Sequence, residues 1–213
     1  MPLKIKEREY RNLINFRALE NEDNKENSYI VEGYAAIFDE PYTLYEDEFI
    51  TITEIVDKEA FKSVDLNDVI LQYDHQGRVF ARTSNNTLRL TTDDVGLRIR
   101  AYLGGTEIGK DLYEEIKGGY TTKMSWGFSL DDSKDIERIE SYNDKNDTYE
   151  VTRIIKNVKK IYDVSAVSLP ANNATEISAR SVAEGVAAEA KAERLERLNI
   201  DKLKLKILLE MEG

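Results

Sequence analysis

The chain has 213 residues, 41% hydrophobic and 33% charged, which fits one main domain with an appendage. Its net charge of −11 argues against nucleic-acid and anionic-membrane partners, since both need clustered Lys and Arg. With no cysteine and one histidine, His75, the chain has no disulfides, thiolate zinc sites or cysteine nucleophile, and imidazole chemistry must run through His75.

A conventional transition-metal cluster is equally unexpected on such a composition, an all-carboxylate site staying open, and no cofactor is implied. The start, Met1-Pro-Leu-Lys-Ile-Lys, has no apolar signal-like run, and no stretch reaches membrane-spanning length, so a soluble cytosolic protein is expected. Charge is unevenly spread. Residues 180–213 carry seven Lys/Arg and seven Asp/Glu, so the whole −11 belongs to residues 1–179.

Residues 1–165 read as mainly β. The run Tyr29 to Phe38 is rich in β-branched and aromatic residues, with Gly33 marking a bulge or close approach. Phe49 to Val56 alternates, then Asp57 to Ser63 suggests a short helix with Asp57 as N-cap. Val69 to Tyr73 is the next strand, and Val79–Thr83 with Thr87–Leu90 around Asn85-Asn86 reads as a hairpin. Asp93-Asp94-Val95-Gly96 is a turn into the strand Leu97 to Leu103. From Thr106 a helix places Ile108, Leu112 and Ile116 on one face and stops at Gly118-Gly119. Strands close at Ser125–Leu130, Tyr149–Ile155 and Lys160–Leu169. So many short strands favour a barrel or sandwich.

After Pro170 the texture changes. Ser181 and Glu184 have capping-box spacing, and Ile200, Leu203, Ile207 and Met211 share one helical face. The expectation is one long helix, or two joined near Asn199, packed on a partner, on another copy or on its own domain.

Two local patterns point to chemistry. In Lys123 to Leu130 the residues Met124, Trp126, Phe128 and Leu130 alternate with Ser125, Gly127 and Ser129, so a strand buries one face and presents hydroxyls on the other. His75 stands at the end of an apolar run that breaks at Gly77. Together they suggest a nucleophile and its base, the base requiring an orienting group on its second nitrogen. The plain alternative is a hydrogen-bonded structural histidine and an ordinary polar sheet face. Asp163 stands out as the one acid inside an otherwise apolar strand, a placement that costs free energy unless it is paired. It could equally be an edge-strand acid facing water. Asp74 is next to His75, and alternation points it the other way.

The segments Gly33-Tyr-Ala-Ala-Ile-Phe38, Ala60-Phe61, His75 with Ala81-Arg82-Thr83, Leu88-Arg-Leu90 with Asp94-Val-Gly-Leu97, Met124-Ser125-Trp-Gly127-Phe128 and Asp163-Val-Ser-Ala-Val-Ser-Leu-Pro170-Ala-Asn172 resemble the caudovirus prohead serine protease family in order and approximate spacing. They span about residues 28–178. The resemblance implies a closed or partly open antiparallel β-barrel similar to herpesvirus assemblin (α+β, mainly β) over residues 1–179, with 180–213 a helical extension for dimerisation or for tethering to scaffold or capsid. It implies a serine endopeptidase acting inside the prohead, in the host cytoplasm, on the scaffolding segment of the major capsid protein and on itself. Ser125 takes the nucleophile's place, His75 the general base's, and Asp163 that of the family's acid, where Glu is common. Ser129, on the same face as Ser125, is the runner-up nucleophile. A non-catalytic internal scaffold that binds capsid protein is the rival reading, and a general esterase the third.

Overall fold

The computed structural model describes residues 9–14, 16–19, 29–131, 133–143 and 148–167, with isolated positions between 185 and 204. Among the described residues the chain is mainly β, as its alternating patterns imply, and its strands form three sheets. The first has the order β1 (Glu9–Ile14), β10 (Lys123–Ser129), β13 (Lys160–Val167), β6 (Ile70–Tyr73), β7 (Gln76–Arg82). The second runs β2 (Phe16–Leu19), β3 (Ile30–Ile37), β9 (Gly96–Tyr102), β8 (Leu88–Thr92). The third runs β11 (Ile136–Asn143), β12 (Thr148–Ile155), β5 (Ile50–Val56), β4 (Tyr42–Glu46).

The main core lies where the apolar faces of the first two sheets meet. Val31, Leu97 and Ile99 from the second join Leu71, Met124, Trp126, Phe128 and Ile161 from the first, all fully buried. Each such side chain contributes roughly 1.5–3 kcal/mol relative to exposure. Trp126 stacks on Phe128 at 4.0 Å between ring centroids and meets Phe61 at 5.4 Å. A satellite core of Ile50, Ile52, Tyr149 and Val151 sits on the third sheet.

The one α-helix among the described residues, α1 (Glu107–Lys117), follows the sequence closely. The Thr106 side chain accepts from the Gly109 amide, capping one of the free N–H groups of the first turn. Leu112, Tyr113 and Ile116 are buried. Gly119, at φ +75, reverses the chain in the left-handed conformation a side chain would resist.

Several expectations need correction. Of the closed or partly open barrel that the resemblance implies, the closed form is not seen: among the described residues none of the three sheets closes on itself. Nor is pairing purely antiparallel, because β13 runs parallel to β6 and β12 parallel to β5. Period-two patterning reports which face is buried, not which strand lies alongside. The expected 79–90 hairpin does not form: β7 pairs with β6, while β8 pairs with β9 in another sheet. Between them a 3-10 turn, Thr83–Asn85, ends on Asn86 at φ 61 and turns a corner between sheets. Residues 58–63 form successive turns rather than a helix, although Asp57 does accept from the Glu59 amide as a cap would. The β3 bulge falls at Tyr34–Ala36, just beyond Gly33. Strands β1, β2, β4 and β11 carry no clear alternating apolar pattern.

The helical extension over 180–213 and the Pro170–Asn172 motif fall wholly or largely outside the described residues. The isolated positions described there, among them Gly185, Lys191 and Leu203, are helical one by one and do not establish a continuous helix. Lys191 Nζ donates to Asp47 Oδ2 at 2.7 Å, a contact with the loop after β4.

Candidate active site

Residues directly opposite one another in an antiparallel pair share a face of the sheet. The β10–β13 register sets Ser125 opposite Ser165 and Gly127 opposite Asp163. One face therefore gathers two hydroxyls and a carboxylate, and Gly127 places no side chain opposite Asp163. Strand β6 runs parallel beside β13 and ends level with it, Ala166 matching Tyr73. The two-residue turn that follows, Asp74-His75, thus arrives over that same face.

This turn is unusual. Asp74 and His75 have φ of 48° and 58°, both left-handed, as a tight two-residue hairpin requires. Such positions ordinarily take Asn-Gly or Asp-Gly; for other residues the conformation costs on the order of 1–3 kcal/mol each. Strand β13 holds it in place. The Asp74 amide donates to the Ala166 carbonyl at 2.9 Å, and the His75 amide donates to Ser165 Oγ at 3.2 Å.

The imidazole then spans the two strands. His75 Nε2 lies 2.5 Å from Ser125 Oγ, and Nδ1 is hydrogen-bonded to Asp163 Oδ1. A carboxylate in its ionised form only accepts, and opposite it Nδ1 would carry the ring proton, leaving Nε2 to accept the Ser125 hydroxyl. Ser165 Oγ also donates to Asp163 Oδ1, at 3.1 Å. The second oxygen, Oδ2, is buried without a partner. Ser125 is 0% exposed and Asp163 1%. In such low-dielectric surroundings these hydrogen bonds are stronger than they would be in water.

The expected face of exposed hydroxyls is therefore closed: β10 is covered on both sides from Met124 to Phe128. Ser129 is not in the cluster, its Oγ instead 3.3 Å from the Tyr162 hydroxyl. Asp74 contributes its backbone to the turn. The premise that singled out Asp163 also fails, because Glu32 in β3 and Glu54 in β5 are buried acids in apolar strands as well. Both of those face arginines. Glu32 accepts from Arg17 at 2.7 Å and from Arg98 at 2.6 Å, and Glu54 forms an ion pair with Arg153 at 2.9 Å. Burial pulls the Glu32 carboxyl upward, but the hydrogen bonds from the two arginines outweigh it and hold it below its ordinary value.

The sequence reading missed Ser165. Its signal was present: it lies two residues beyond Asp163, hence on the same face of the same strand.

The family model for caudovirus prohead serine proteases matches residues 15–188 of the chain. The chain belongs to that family. No curated protein and no solved structure gives a significant match. Membership makes the protein a serine peptidase of phage capsid maturation. Within the matched span lie the β10 strand with Ser125, the turn with His75 and the β13 strand with Asp163. Among the described residues no helix of this protease is long and apolar enough to cross a membrane.

Proposed function

We propose that this protease cleaves the scaffolding segment of the major capsid protein inside the prohead, and cleaves itself, with Ser125 as nucleophile, His75 as general base and Asp163 as the acid that orients the base. The observation that supports this reading is the unbroken chain of hydrogen bonds from Ser125 Oγ through both imidazole nitrogens to Asp163.

The chemistry follows from that chain. As Oγ attacks the scissile carbonyl, its proton passes to Nε2, and the resulting imidazolium faces the Asp163 carboxylate. The tetrahedral intermediate collapses when Nε2–H returns the proton to the leaving amine. An acyl-enzyme on Ser125 remains, and water hydrolyses it with His75 again as base. Backbone amides would stabilise the oxyanion; losing one oxyanion donor, a side-chain amide, costs about 2.7–4 kcal/mol in a well-studied protease.

Complete burial of Ser125 imposes a condition: a peptide reaches Oγ only after the chain around it opens. The same burial is the observation that favours the rival, a non-catalytic scaffold that retains the cluster for stability. Residues 180–213 complete the proposal as an extension that tethers the 1–179 domain to scaffold or capsid, or joins copies of it.

Co-expression with the cognate capsid protein separates the readings. The proposal expects processed capsid protein with the wild type and none with Ser125→Ala. Equal processing by both, or by neither under assembly conditions, would refute it. Truncation after Arg180 should reduce incorporation into proheads, and unchanged incorporation and oligomeric state would remove the tether from the account.

A further inference from the structure

We infer that Ser165 is a positioning residue that fixes both the orientation and the tautomer of His75; the inference rests on the proposed role of His75 as general base.

Ser165 touches the histidine's environment at two points. Its Oγ accepts the His75 main-chain N–H at 3.2 Å, at the second residue of a turn whose left-handed conformation resists a side chain. A hydroxyl has one hydrogen, and because the amide has taken an acceptor position, that hydrogen is free for Asp163 Oδ1 at 3.1 Å. The same oxygen accepts Nδ1–H of the ring. One buried hydroxyl therefore anchors the His75 backbone and the carboxylate that holds its side chain, closing a ring of contacts over Ser165, Asp163 and His75.

The arrangement has directional content. Donation from Ser165 keeps Oδ1 an acceptor only and turned toward the imidazole, while Oδ2 stays buried without a partner. If the hydroxyl is lost, the His75 amide loses its acceptor and the carboxylate loses the contact that selects which oxygen faces the ring. Rotation about the Asp163 side chain then brings the unpartnered oxygen into competition. The imidazole is left with a less defined tilt relative to Ser125 Oγ, whose burial leaves little room for compensating movement.

Because His75 is the only histidine, ring labelling with nitrogen-15 reports it without ambiguity. The experiment compares wild type with Ser165→Ala, Ser165→Thr and Ser165→Val. Thr and Val have nearly the same shape and differ in the hydroxyl, so the pair separates hydrogen bonding from volume. Wild type and Thr should show one tautomer, protonated at Nδ1, with that proton shifted downfield. Ala and Val should lose the downfield proton and show averaged ring nitrogens. On the cognate capsid protein, kcat should fall about 10–100-fold in Ala and Val with KM within about twofold, the scale expected of a misaimed catalytic group. Wild-type ring signals in Ala and Val, or the same loss in Thr and Val, would overturn the inference. The spectra need no substrate, so they decide the role of Ser165 even if capsid cleavage, and with it the proposed function, fails.

Discussion

Asp163 on the first sheet and Glu54 on the third are both acids buried in apolar strands, at 1% and 0% exposure. Their partners differ in kind. Glu54 faces a permanent cation, Arg153, across the parallel β5–β12 pair and also accepts the Tyr42 hydroxyl at 2.5 Å. Asp163 faces an imidazole and a serine hydroxyl, and one of its oxygens has no partner. The arginine pair is matched in charge and holds strands together. The imidazole pair has no fixed cation, and in the proposed mechanism the ring becomes one by taking the Ser125 proton. A buried acid alone therefore says little about chemistry; what lies opposite it decides.

The sharpest way to break this contrast is to change each acid's charge or partner and ask whether rate or stability responds. Asp163→Asn puts an amide donor where Nδ1–H must donate, so the ring adopts the wrong tautomer. Cleavage should fall by about 10⁴-fold, as in the comparable substitution of another serine protease. The unfolding free energy should change little, and kinetics beside urea denaturation check both. A large stability loss with retained cleavage would put Asp163 in the same class as Glu54.

Arg153→Met tests the other side. It leaves the Glu54 carboxylate buried without its cation, which should cost about 3–5 kcal/mol of stability. The ring signals of His75 and the cleavage rate per folded molecule should stay at wild-type levels. Replacing both members by apolar residues of similar volume should recover most of the loss.

Glu32 extends the comparison to pH. Its folded carboxyl is held below the ordinary value of 4.5 by Arg17 and Arg98, so its contribution to stability is complete above that value. The contribution is lost as pH falls through the lower folded value. Urea unfolding between about pH 6 and 3 should show a steeper acid decline in wild type than in Glu32→Gln. Equal slopes would mean that the arginines do not hold the carboxyl down.

The smallest effect should come from the helix cap. Thr106→Ala removes the acceptor for the Gly109 amide and should cost about 1 kcal/mol, measured by chemical denaturation. His75 signals should not move, which would show that the cluster is insulated from modest loss of stability elsewhere.

Much of this was legible in the sequence because it is local. Alternation in Met124 to Phe128 marks the core face of β10 but not the cover on its other face, and the spacing of Leu112 and Ile116 marks the buried side of α1; both elements appear where those patterns lie. The meeting of Ser125, His75 and Asp163 was legible only through the ordered family motifs, since no spacing along the chain sets strands β10, β13 and the β6–β7 turn side by side. Strand neighbours were the blind spot. Nothing in Val79 to Leu90 tells a hairpin from a corner between sheets, and the left-handed φ at Asn86 suits both. The turn at Asp74-His75 was hidden for the opposite reason: its residues lack the glycine that usually signals one, and long-range hydrogen bonds from its amides to β13 hold it. Ser165 was overlooked because a serine two residues from an acid draws no notice until a histidine amide is found on it.

The central claim is that His75 passes the Ser125 proton, and the chain offers no second imidazole to take over. The decisive measurement is cleavage of the cognate capsid protein by His75→Ala beside wild type under assembly conditions. The account expects the rate to fall by at least about 10⁴-fold with the fold intact. Cleavage at the wild-type rate would contradict it.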